Sequence, residues 1–354
     1  MKVRISVARP PLRAAFAAAY GELTERPLIL LALEGEDGTV GFGEAAPLEP
    51  YDGVSIESAR AALEDCAPVL RASDGTGRAE VLAACREVAD LPQALAAIDL
   101  ALWDLAGRRA GEPVWRLLGI REPAPVAVNW TVGATDRTGA AGGAARARLE
   151  GFTCVKVKVG VGDDAGRLAA VRAAGGPELA VRIDANGAWS AEQATAALRA
   201  LAPVGIELCE EPVSGLEGIR TVWTASEVAI AIDETAAAPG ALEGRWCDAV
   251  CLKIARCGGI TGVLEQATRA RASGYDVYLA STFDGPLGIA AALHAAAVLE
   301  PRRACGLATL ELFEARPSST SGRGDPLPVR RGRMAMPAGP GLGNGLAAWY
   351  GEVT

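Results

Sequence analysis

Lysine is scarce in this sequence, which uses arginine at nearly every basic position. Four of its 35 basic residues are lysine, and three of them, Lys156, Lys158 and Lys253, lie at the ends of short apolar runs. Lysine differs from arginine chiefly because the lysine pKa can be lowered until the amine exchanges protons near neutral pH. These three lysines are therefore candidates for acid–base chemistry.

Acidic residues end the apolar runs that lie between these lysines along the chain. They are Asp184, the pair Glu210 and Glu211, and the pair Asp233 and Glu234. Two lysines buried together would be costly without nearby anions. Three converging carboxylates suit a hard cation such as Mg²⁺, whose remaining positions are filled by water or substrate. We predict Asp184, Glu210 and Asp233 as the metal ligands.

Each of these residues also has an ordinary structural explanation. An acid at the end of a strand is often the N-cap of the following helix, which applies to Asp184 and Asp233. A single lysine such as Lys253 can bury its aliphatic stem and keep its amine in solvent. The functional interpretation is favoured because polar groups end five successive predicted strands.

The elements that must position these groups form a repeat from residue 126 onwards. Short β-branched runs alternate with alanine-rich stretches, and the runs start about 21 to 29 residues apart, which is the length of one strand, one helix and two loops. This spacing predicts an α/β fold, a (β/α)8-type barrel and not an open sheet. The predicted strands are 126–132, 155–159, 180–184, 206–210, 228–233, 249–253, 277–281 and 306–312.

The rest of the chain lacks this repeat and predicts a second lobe. Residues 28–44 suggest a β-hairpin, because apolar runs flank a turn-forming EDG, and residues 91–119 have helical spacing with glycine terminators. We predict an α+β lobe at 1–122, the barrel at 123–316, and a tail rich in Gly, Pro and Arg at 317–354 that folds back onto the lobe.

Composition argues against several classes of protein. The net charge is -8 and no segment concentrates lysine and arginine, so a nucleic-acid partner is not expected. Arginines interrupt the N-terminal apolar residues, and the longest apolar stretch, 287–299, is too short to span a bilayer, so we expect a cytoplasmic protein with no membrane partner. The eight cysteines form no CxxC pair and are expected to be structural, including Cys247 and Cys251.

Barrel geometry places the lysines on opposite sides of one mouth. Catalytic groups of such barrels lie at the C-terminal strand ends, and strands two and six of eight face each other there. A substrate carboxylate bound to the metal would have a lysine on each face. The metal would stabilise the charge that forms when the adjacent C–H is deprotonated, and a desolvated lysine with a lowered pKa would act as the base.

The segments that carry these residues resemble the enolase superfamily, in its muconate-lactonizing subgroup. The similar segments are KVKVG, RIDANGAW, EEP, AIDE and LKIARCGG, with the helix AIDLALWDLAGRRAGEPVWRLLG and the closing MPAGPGLG. They extend over nearly the whole chain. The resemblance implies a modified TIM barrel with a capping domain made of the first lobe and the tail, and it implies a homo-oligomer.

The resemblance also implies a role for each predicted site residue. It implies Mg²⁺ as the cofactor, for which Mn²⁺ can substitute. The implied metal ligands are Asp184, Glu210 and Asp233, the implied acid–base pair is Lys158 and Lys253, and the residues implied to assist near the substrate carboxylate are Lys156 and Asn186.

Members of this subgroup share proton abstraction and differ in the fate of the resulting enolate. The reactions include dehydration to o-succinylbenzoate, epimerisation of dipeptides, racemisation of N-acylated amino acids and cycloisomerisation of muconates. Dipeptide epimerases typically carry an acidic DxD pair on the eighth strand, where this chain has Gly306 and Ala308. The single histidine, His294, lies on an apolar predicted helix, which excludes the mandelate-racemase branch with its histidine base.

Three segments favour one of these reactions. PLRAAFAAAYGELTERP, GFGEAAPLEPY and ACGLATLELF look most like o-succinylbenzoate synthases of menaquinone biosynthesis, so dehydration is the first expectation. The alternatives are an N-acylamino acid racemase or dipeptide epimerase, and a muconate cycloisomerase. The non-enzyme alternative is a catalytically silent metal-binding barrel, against which the presence of every lysine and ligand argues. For the enzymes the partner is a small-molecule carboxylate.

Chelation of divalent cations should abolish activity, and Mg²⁺ or Mn²⁺ should restore it. Three carboxylates without a cation repel one another and cannot stabilise the charge that develops on a substrate carboxylate. The measurement is turnover before and after exhaustive treatment with a chelator, followed by titration with each cation. Full activity after exhaustive chelation would contradict the metal assignment.

Overall fold

The structure is a computed structural model that describes residues 1–18, 21–160, 162–314, 317–318, 322–323 and 325–351. Its N-terminal lobe consists of β1 Lys2–Ala8, β2 Pro11–Ala18, β3 Gly21–Glu25, β4 Leu28–Glu34, β5 Val40–Ala45, α1 Glu49–Asp52, α2 Ile56–Ala72, α3 Arg78–Val88, α4 Pro92–Ala110 and α5 Val114–Leu117. β4 lies between β1 and β5 in an antiparallel sheet. The predicted hairpin is confirmed as β4 and β5, and the predicted helix is α4, which ends at Gly111 before the short α5.

Strand β4 is buried on both faces, which explains its unbroken apolar sequence. Ile29, Leu31 and Leu33 pack with residues of α2, α3 and α4, whereas Leu28 and Leu30 belong to the core that continues into the barrel. Strand side chains alternate between faces, so a continuous apolar run is needed where both faces are covered. The lobe and the barrel therefore share one apolar sheet.

Parallel strands alternate with helices in the barrel. Its elements are β6 Val126–Ala127, β7 Trp130–Val132, α6 Arg137–Leu149, β8 Cys154–Lys158, α7 Asp164–Gly175, β9 Ala180–Asp184, α8 Ala191–Leu201, β10 Ile206–Glu210, α9 Leu216–Ala225, β11 Ile230–Ile232, β12 Ala249–Leu252, α10 Ile254–Cys257, α11 Gly259–Ala272, β13 Asp276–Leu279 and α12 Pro286–Leu299. Strands β7 to β13 form one parallel sheet in sequence order. Bridges from Val128 to Cys305 and from Ala280 to Gly306 close it. The fold is a (β/α)8-type barrel with an α+β capping lobe.

The predicted strands are confirmed to within two residues at six positions and are wrong at two. At the eighth position only residues 305 and 306 bridge to neighbours, and Leu310–Leu312 is a 3-10 helix. The N–H of Thr309 bonds to the carbonyl oxygen of Leu307, so this backbone is satisfied within a turn and not by a ladder. At the first position β6 leaves the barrel and pairs with a strand of the tail, and only β7 joins the sheet.

The tail returns to the N-terminal lobe. Its strands are β14 Pro317–Ser318, β15 Gly322–Arg323, β16 Val329–Arg330 and β17 Arg333–Met334, and a 3-10 helix covers Leu346–Tyr350. The N–H of Leu342 donates to Asp104 on α4 at 2.7 Å, and the N–H of Val114 on α5 donates to Gly341 at 3.0 Å. The domain limits at 122 and 316 and the homo-oligomer stay predictions. Residues 19, 20, 161, 315, 316, 319–321, 324 and 352–354 lie outside the described residues.

His294 and the cysteines are buried among structural contacts. His294 accepts the N–H of Trp115 at its Nδ1 and is bonded through Nε2 to the carbonyl oxygen of Leu342, each at 3.2 Å. Burial lowers the pKa of His294 to about 4, so it is neutral at pH 7. All eight cysteines are buried with free thiols. Within the described part of the chain, no helix has the length and hydropathy needed to cross a bilayer.

A buried arginine joins the lobe to the barrel. Arg26 precedes β4, is 1% exposed, and donates hydrogen bonds to the carbonyl oxygens of Thr282, Pro27, Ala46 and Pro47. Thr282 belongs to the loop that follows the seventh barrel strand, whereas the other acceptors belong to the lobe. One guanidinium therefore satisfies carbonyl groups of both parts in a place that water does not reach.

Replacing this arginine should destabilise the fold. Arg26→Met would remove the guanidinium donor from all four carbonyl oxygens. Among the described residues, that of Ala46 alone keeps a second donor, the Thr282 hydroxyl. We therefore expect the free energy of unfolding to fall by at least about 3 kcal/mol. Chemical denaturation measures the change. Arg9→Met is the matched control, because Arg9 is half exposed and pairs with Glu25 at the surface. It should cost less than about 1 kcal/mol. Equal losses in the two variants would contradict the role of Arg26.

Candidate active site

The polar ends of five neighbouring strands lie side by side at one end of the barrel. β8, β9 and β10 are parallel and in register, with Lys158 paired with Asp184 and Asp184 paired with Glu210. Asp233 and Lys253 directly follow β11 and β12. Parallel strands bring their C-terminal ends to one edge, so these groups meet there. All five side chains are buried.

Asp184 is held by two lysines. Its Oδ2 accepts hydrogen bonds from Nζ of Lys156 at 2.9 Å and from Nζ of Lys158 at 2.7 Å, and its Oδ1 accepts the N–H of Asn186 at 3.1 Å. Burial alone would raise the pKa of Asp184, but the two ammonium charges outweigh burial and lower that pKa. Asp184 is therefore a carboxylate at neutral pH.

Glu210 lies between Lys156 and Tyr278. Its Oε1 accepts a hydrogen bond from Nζ of Lys156 at 2.8 Å, and its Oε2 accepts one from the Tyr278 hydroxyl at 2.6 Å. Burial raises the pKa of Glu210, and the charges of Asp184 and Asp233 add to that effect against the opposing charge of Lys156. Burial would lower the pKa of Lys156, but Asp184 and Glu210 outweigh it and raise that pKa. Because its Nζ donates to both Asp184 and Glu210, Lys156 is suited to balance their charge.

Lys253 contacts the carboxylate of Asp233 in the barrel and the hydroxyl of Tyr51 in the lobe. Its Nζ donates to Oδ2 of Asp233 and to the hydroxyl oxygen of Tyr51, each at 2.5 Å, and that hydroxyl donates to Oδ1 of Asp233 at 2.8 Å. Burial would lower the pKa of Lys253, but the charge of Asp233 outweighs it and raises that pKa. The lowered lysine pKa expected from burial is wrong for Lys253 and Lys156 in this arrangement, because both ammonium groups contact carboxylates.

The carboxylates offer a set of oxygen donors that fits a hard cation. One oxygen of Glu210, one of Asp233 and the Sγ of Cys251 lie within 4.8 Å of one another. Asp184 is not part of that group. It is joined to the group through Lys156, whose Nζ donates to both Asp184 and Glu210. Burial raises the pKa of the Cys251 thiol, so it stays protonated, and a hard cation prefers oxygen. Asp184, Glu210 and Asp233 are thus the residues that could hold Mg²⁺.

The second glutamate of the EEP segment has a different environment. Glu211 has a left-handed backbone conformation, with φ of 40°, and its carboxylate accepts the N–H of Asp233 at 2.7 Å and the N–H of Thr235 at 3.0 Å. Burial raises the pKa of Glu211 to about 8. Glu211 therefore fixes the backbone that carries Asp233, while Glu210 alone of the pair belongs to the group of candidate ligand atoms.

The side chain of Asn186 connects Lys158 to Glu234 by hydrogen bonds. Oδ1 of Asn186 accepts a hydrogen bond from Nζ of Lys158 at 2.7 Å, and Nδ2 of Asn186 donates to Oε1 of Glu234 at 2.8 Å. Asn186 has φ of 45°, in the left-handed region that asparagine tolerates better than most residues. Burial, with the charge of Asp233, raises the pKa of Glu234 to about 7.

Two cavities adjoin Asp233 and Lys253. The larger, about 530 Å³, lies behind them and is lined by residues 236–240 and by α11. The smaller, about 50 Å³, is lined by Leu48, Tyr51, Thr131, Lys156, Lys158, Asp184, Asn186, Asp233, Lys253, Ala280, Ser281, Thr282, Phe283, Gly306 and Thr309. Lys158 and Lys253 both line the smaller cavity, so it is the place where both amines can reach one molecule.

Tyr51 and Tyr278 are the site residues that the sequence interpretation missed. Tyr278 carries a hydroxyl in an otherwise apolar stretch of β13, a signal that could have identified it. Tyr51 lies on α1 in the lobe, 182 residues from Asp233, and no local pattern connects the two. Its position depends on how the lobe packs on the barrel.

Comparison with known proteins places this arrangement in a family. Residues 140–348 match the family model described as Enolase C-terminal domain-like, and residues 1–119 match that of the Mandelate racemase / muconate lactonizing enzyme, N-terminal domain. The chain belongs to the enolase superfamily. Within it the chain falls in the muconate-lactonizing subgroup, and the protein is an enzyme, a lyase or isomerase.

Individual relatives catalyse different reactions. Muconate cycloisomerase 1 of Rhodococcus opacus is 31% identical over 97% of this chain and 95% of its own. N-succinyl-L-Arg/Lys racemase of Bacillus cereus is 27% identical over 83% of both chains. The crystal structure of dipeptide epimerase from Enterococcus faecalis V583 with Mg and the dipeptide L-Leu-L-Tyr has a TM-score of 0.88 and 28% identity, and covers 97% of this chain and 98% of that one.

Removing the hydroxyl that holds Glu210 should weaken metal binding. Tyr278→Phe leaves Oε2 of Glu210 without its buried donor, so we expect Mg²⁺ affinity to fall about tenfold, a typical effect of a partner that orients a ligand. Calorimetric titration with Mg²⁺ measures the affinity.

The matched control is Tyr275→Phe. Tyr275 is equally buried, but its hydroxyl donates to the carbonyl oxygen of Ala241 and accepts the N–H of Trp246, away from the carboxylates. This variant should bind Mg²⁺ like the wild type. An equal loss of affinity in both variants would show that Tyr278 contributes only packing.

Proposed function

We propose that this enzyme racemises or epimerises the α-carbon of an N-acylated amino acid, using Lys158 and Lys253 as the two proton carriers. The observation that carries the proposal is that both lysines line one cavity from strand ends four apart in the barrel order. A carboxylate substrate bound between them has one amine on each face of its α-carbon. One lysine removes the proton, the other returns a proton from the opposite face, and the centre is inverted.

The relatives support this reaction over the dehydration that the sequence first suggested. They include an N-succinyl-L-Arg/Lys racemase and a dipeptide epimerase, and both names denote inversion of a stereocentre. We therefore do not propose o-succinylbenzoate synthase activity or a place in menaquinone biosynthesis. The catalytically silent barrel is not proposed either, because the chain belongs to a family of enzymes and has both lysines.

The carboxylates and the lysines have different roles in the proposed reaction. Asp184, Glu210 and Asp233 hold Mg²⁺, for which Mn²⁺ can substitute, and a cation there would stabilise the negative charge that forms on a substrate carboxylate when the α-proton leaves. Lys156 stays charged between Asp184 and Glu210 and balances their charge. Each of the other two lysines moves a proton at its Nζ.

The lining of the cavity supports an N-acyl group over a free ammonium group. Beside Gly306 the lining has the hydroxyls of Ser281 and Thr309, which are 2.8 Å apart. Among the described lining residues the carboxylates are Asp184 and Asp233, which we assign to the metal. A free ammonium would lack an anionic partner near the eighth strand, whereas an acyl amide can bond to neutral hydroxyls. Gly306 and Ala308 are uncharged, which also favours an N-acyl group over a free ammonium group.

Replacing each of the two proposed lysine bases with arginine should slow α-proton removal from one enantiomer and not from the other. Arginine keeps the charge but is too weak an acid to cycle a proton, so Lys158→Arg should lower α-proton removal from one enantiomer by roughly 100-fold or more. Lys253→Arg should do the same for the other enantiomer, and neither variant should interconvert them. The measurement is α-proton exchange in D₂O, followed by NMR, for both enantiomers of N-acetyl and N-succinyl amino acids.

Lys2→Arg is the control, because Lys2 is exposed on the lobe and pairs with Glu34. It should leave both exchange rates unchanged. Near-normal exchange of both enantiomers in Lys158→Arg would overturn the assignment of the base. Net dehydration of the o-succinylbenzoate synthase substrate that survives in Lys253→Arg would favour the dehydratase instead.

A further inference from the structure

The side chain of Asn186 is bonded at both ends of its amide. Oδ1 accepts from Nζ of Lys158 at 2.7 Å and Nδ2 donates to Oε1 of Glu234 at 2.8 Å. Glu234 begins the 3-10 helix after β11, and Arg256 donates to its backbone carbonyl oxygen at 2.9 Å. The backbone of Glu234 is thereby held in place across the barrel mouth from Lys158.

Glu234 determines which way the Asn186 amide faces. An asparagine amide has an acceptor at one end and a donor at the other, so a rotation of the group by half a turn exchanges the two. Oε1 of Glu234 accepts the hydrogen bond from Asn186, either as a carboxylate oxygen or as the carbonyl oxygen of a carboxyl group protonated at Oε2. It therefore requires Nδ2 of Asn186 on its side and leaves Oδ1 on the side of Lys158.

The orientation of this amide decides what Lys158 can do as a base. Nζ of Lys158 has two described acceptors, Oδ2 of Asp184 at 2.7 Å and Oδ1 of Asn186 at 2.7 Å. A neutral amine has two N–H groups and one lone pair. If each N–H bonds to one of these acceptors, the lone pair is left in the remaining direction. A reversed amide would instead donate its N–H to that lone pair and occupy it.

We propose that Glu234 is a positioning residue that acts through Asn186 and keeps the lone pair of Lys158 free for the substrate α-proton. The proposal rests on the proposed function, because it takes Lys158 as one of two bases. Lys253 has a different environment, with Asp233 and the Tyr51 hydroxyl as acceptors at its Nζ. Of the two bases, only Lys158 is reached by the hydrogen bonds that run from Glu234 through Asn186.

The cost of burying Glu234 is consistent with this role. Its Oε2 is buried and has no hydrogen-bond partner among the described residues. A buried polar atom without a partner is destabilising, so this carboxyl group contributes little to folding. Its one side-chain hydrogen bond among the described residues is the bond to Asn186.

NMR tests the orienting bond without any substrate. The sequence contains three asparagines, Asn129, Asn186 and Asn344, so protein labelled with ¹⁵N-asparagine gives three side-chain amide signals. Loss of one signal in Asn186→Ala assigns it. In Glu234→Met, which removes the acceptor and keeps a side chain of similar size, we expect the Asn186 amide signal to shift and its solvent exchange to accelerate about tenfold, the scale of one hydrogen bond, while the other two signals stay in place. An unchanged Asn186 signal would overturn the proposal.

A double-mutant cycle tests the consequence for proton removal. The probe is the N-acetyl or N-succinyl amino acid whose α-proton the wild type exchanges fastest in D₂O. Glu234→Met should slow exchange about tenfold for the enantiomer that Lys158 serves and by a smaller factor for the other. The combined variant with Asn186→Ala should be no slower than Asn186→Ala alone, because Glu234 acts through Asn186.

Glu207→Met is the matched control, because Glu207 is a partly buried carboxylate on β10 that pairs with Arg182 and Arg303. It should leave the ratio of the two enantiomer rates unchanged. Equal losses on both faces in Glu234→Met, or additive effects in the double variant, would overturn the positioning role. If the wild type exchanges no α-proton, the proposed function fails, and the NMR signals still decide whether Glu234 orients Asn186.

Discussion

Charge balance at the mouth of the barrel is the constraint on which the rest of this structure depends. An isolated ion costs several kcal/mol to bury, so the site is stable only if each charge meets an opposite one within hydrogen-bond distance. The parallel register of β8, β9 and β10 provides this arrangement by placing their polar ends in one row. The balancing groups are Lys156, Lys158, Lys253, Asp184, Glu210 and Asp233.

The capping lobe completes that balance and excludes water from it. Tyr51 brings a hydroxyl from the lobe to Lys253 and Asp233, and Arg26 ties the base of the lobe to the loop after the seventh strand. Strand β4 adds an apolar sheet whose second face belongs to the barrel core. Electrostatic interactions strengthen as water is excluded. The packing of the lobe therefore affects the strength of the ion pairs at the mouth of the barrel.

The two proposed bases have different surroundings. Lys158 lies between a carboxylate and an amide, and Lys253 lies between a carboxylate and a phenol that Arg256 also contacts. In the proposed reaction such a difference would let each amine be tuned separately, as a reaction in two directions requires. The neutral hydroxyls of Ser281 and Thr309 would then discriminate substrates by charge.

The barrel, its order and the row of polar groups followed from the sequence alone, because short apolar runs recur at the spacing of a strand–helix unit and end in polar residues at the edge that parallel pairing brings together. The strands of Asp184 and Glu210 were predicted residue for residue. The lowered pKa was wrong for Lys156 and Lys253, because carboxylates contact both amines, and the eighth strand was wrong, because a local turn satisfies its backbone. Tertiary structure alone decided that Tyr51 reaches Asp233 and that Asn186 lies between Lys158 and Glu234. Such contacts depend on how separate elements pack, and sequence spacing does not encode that packing.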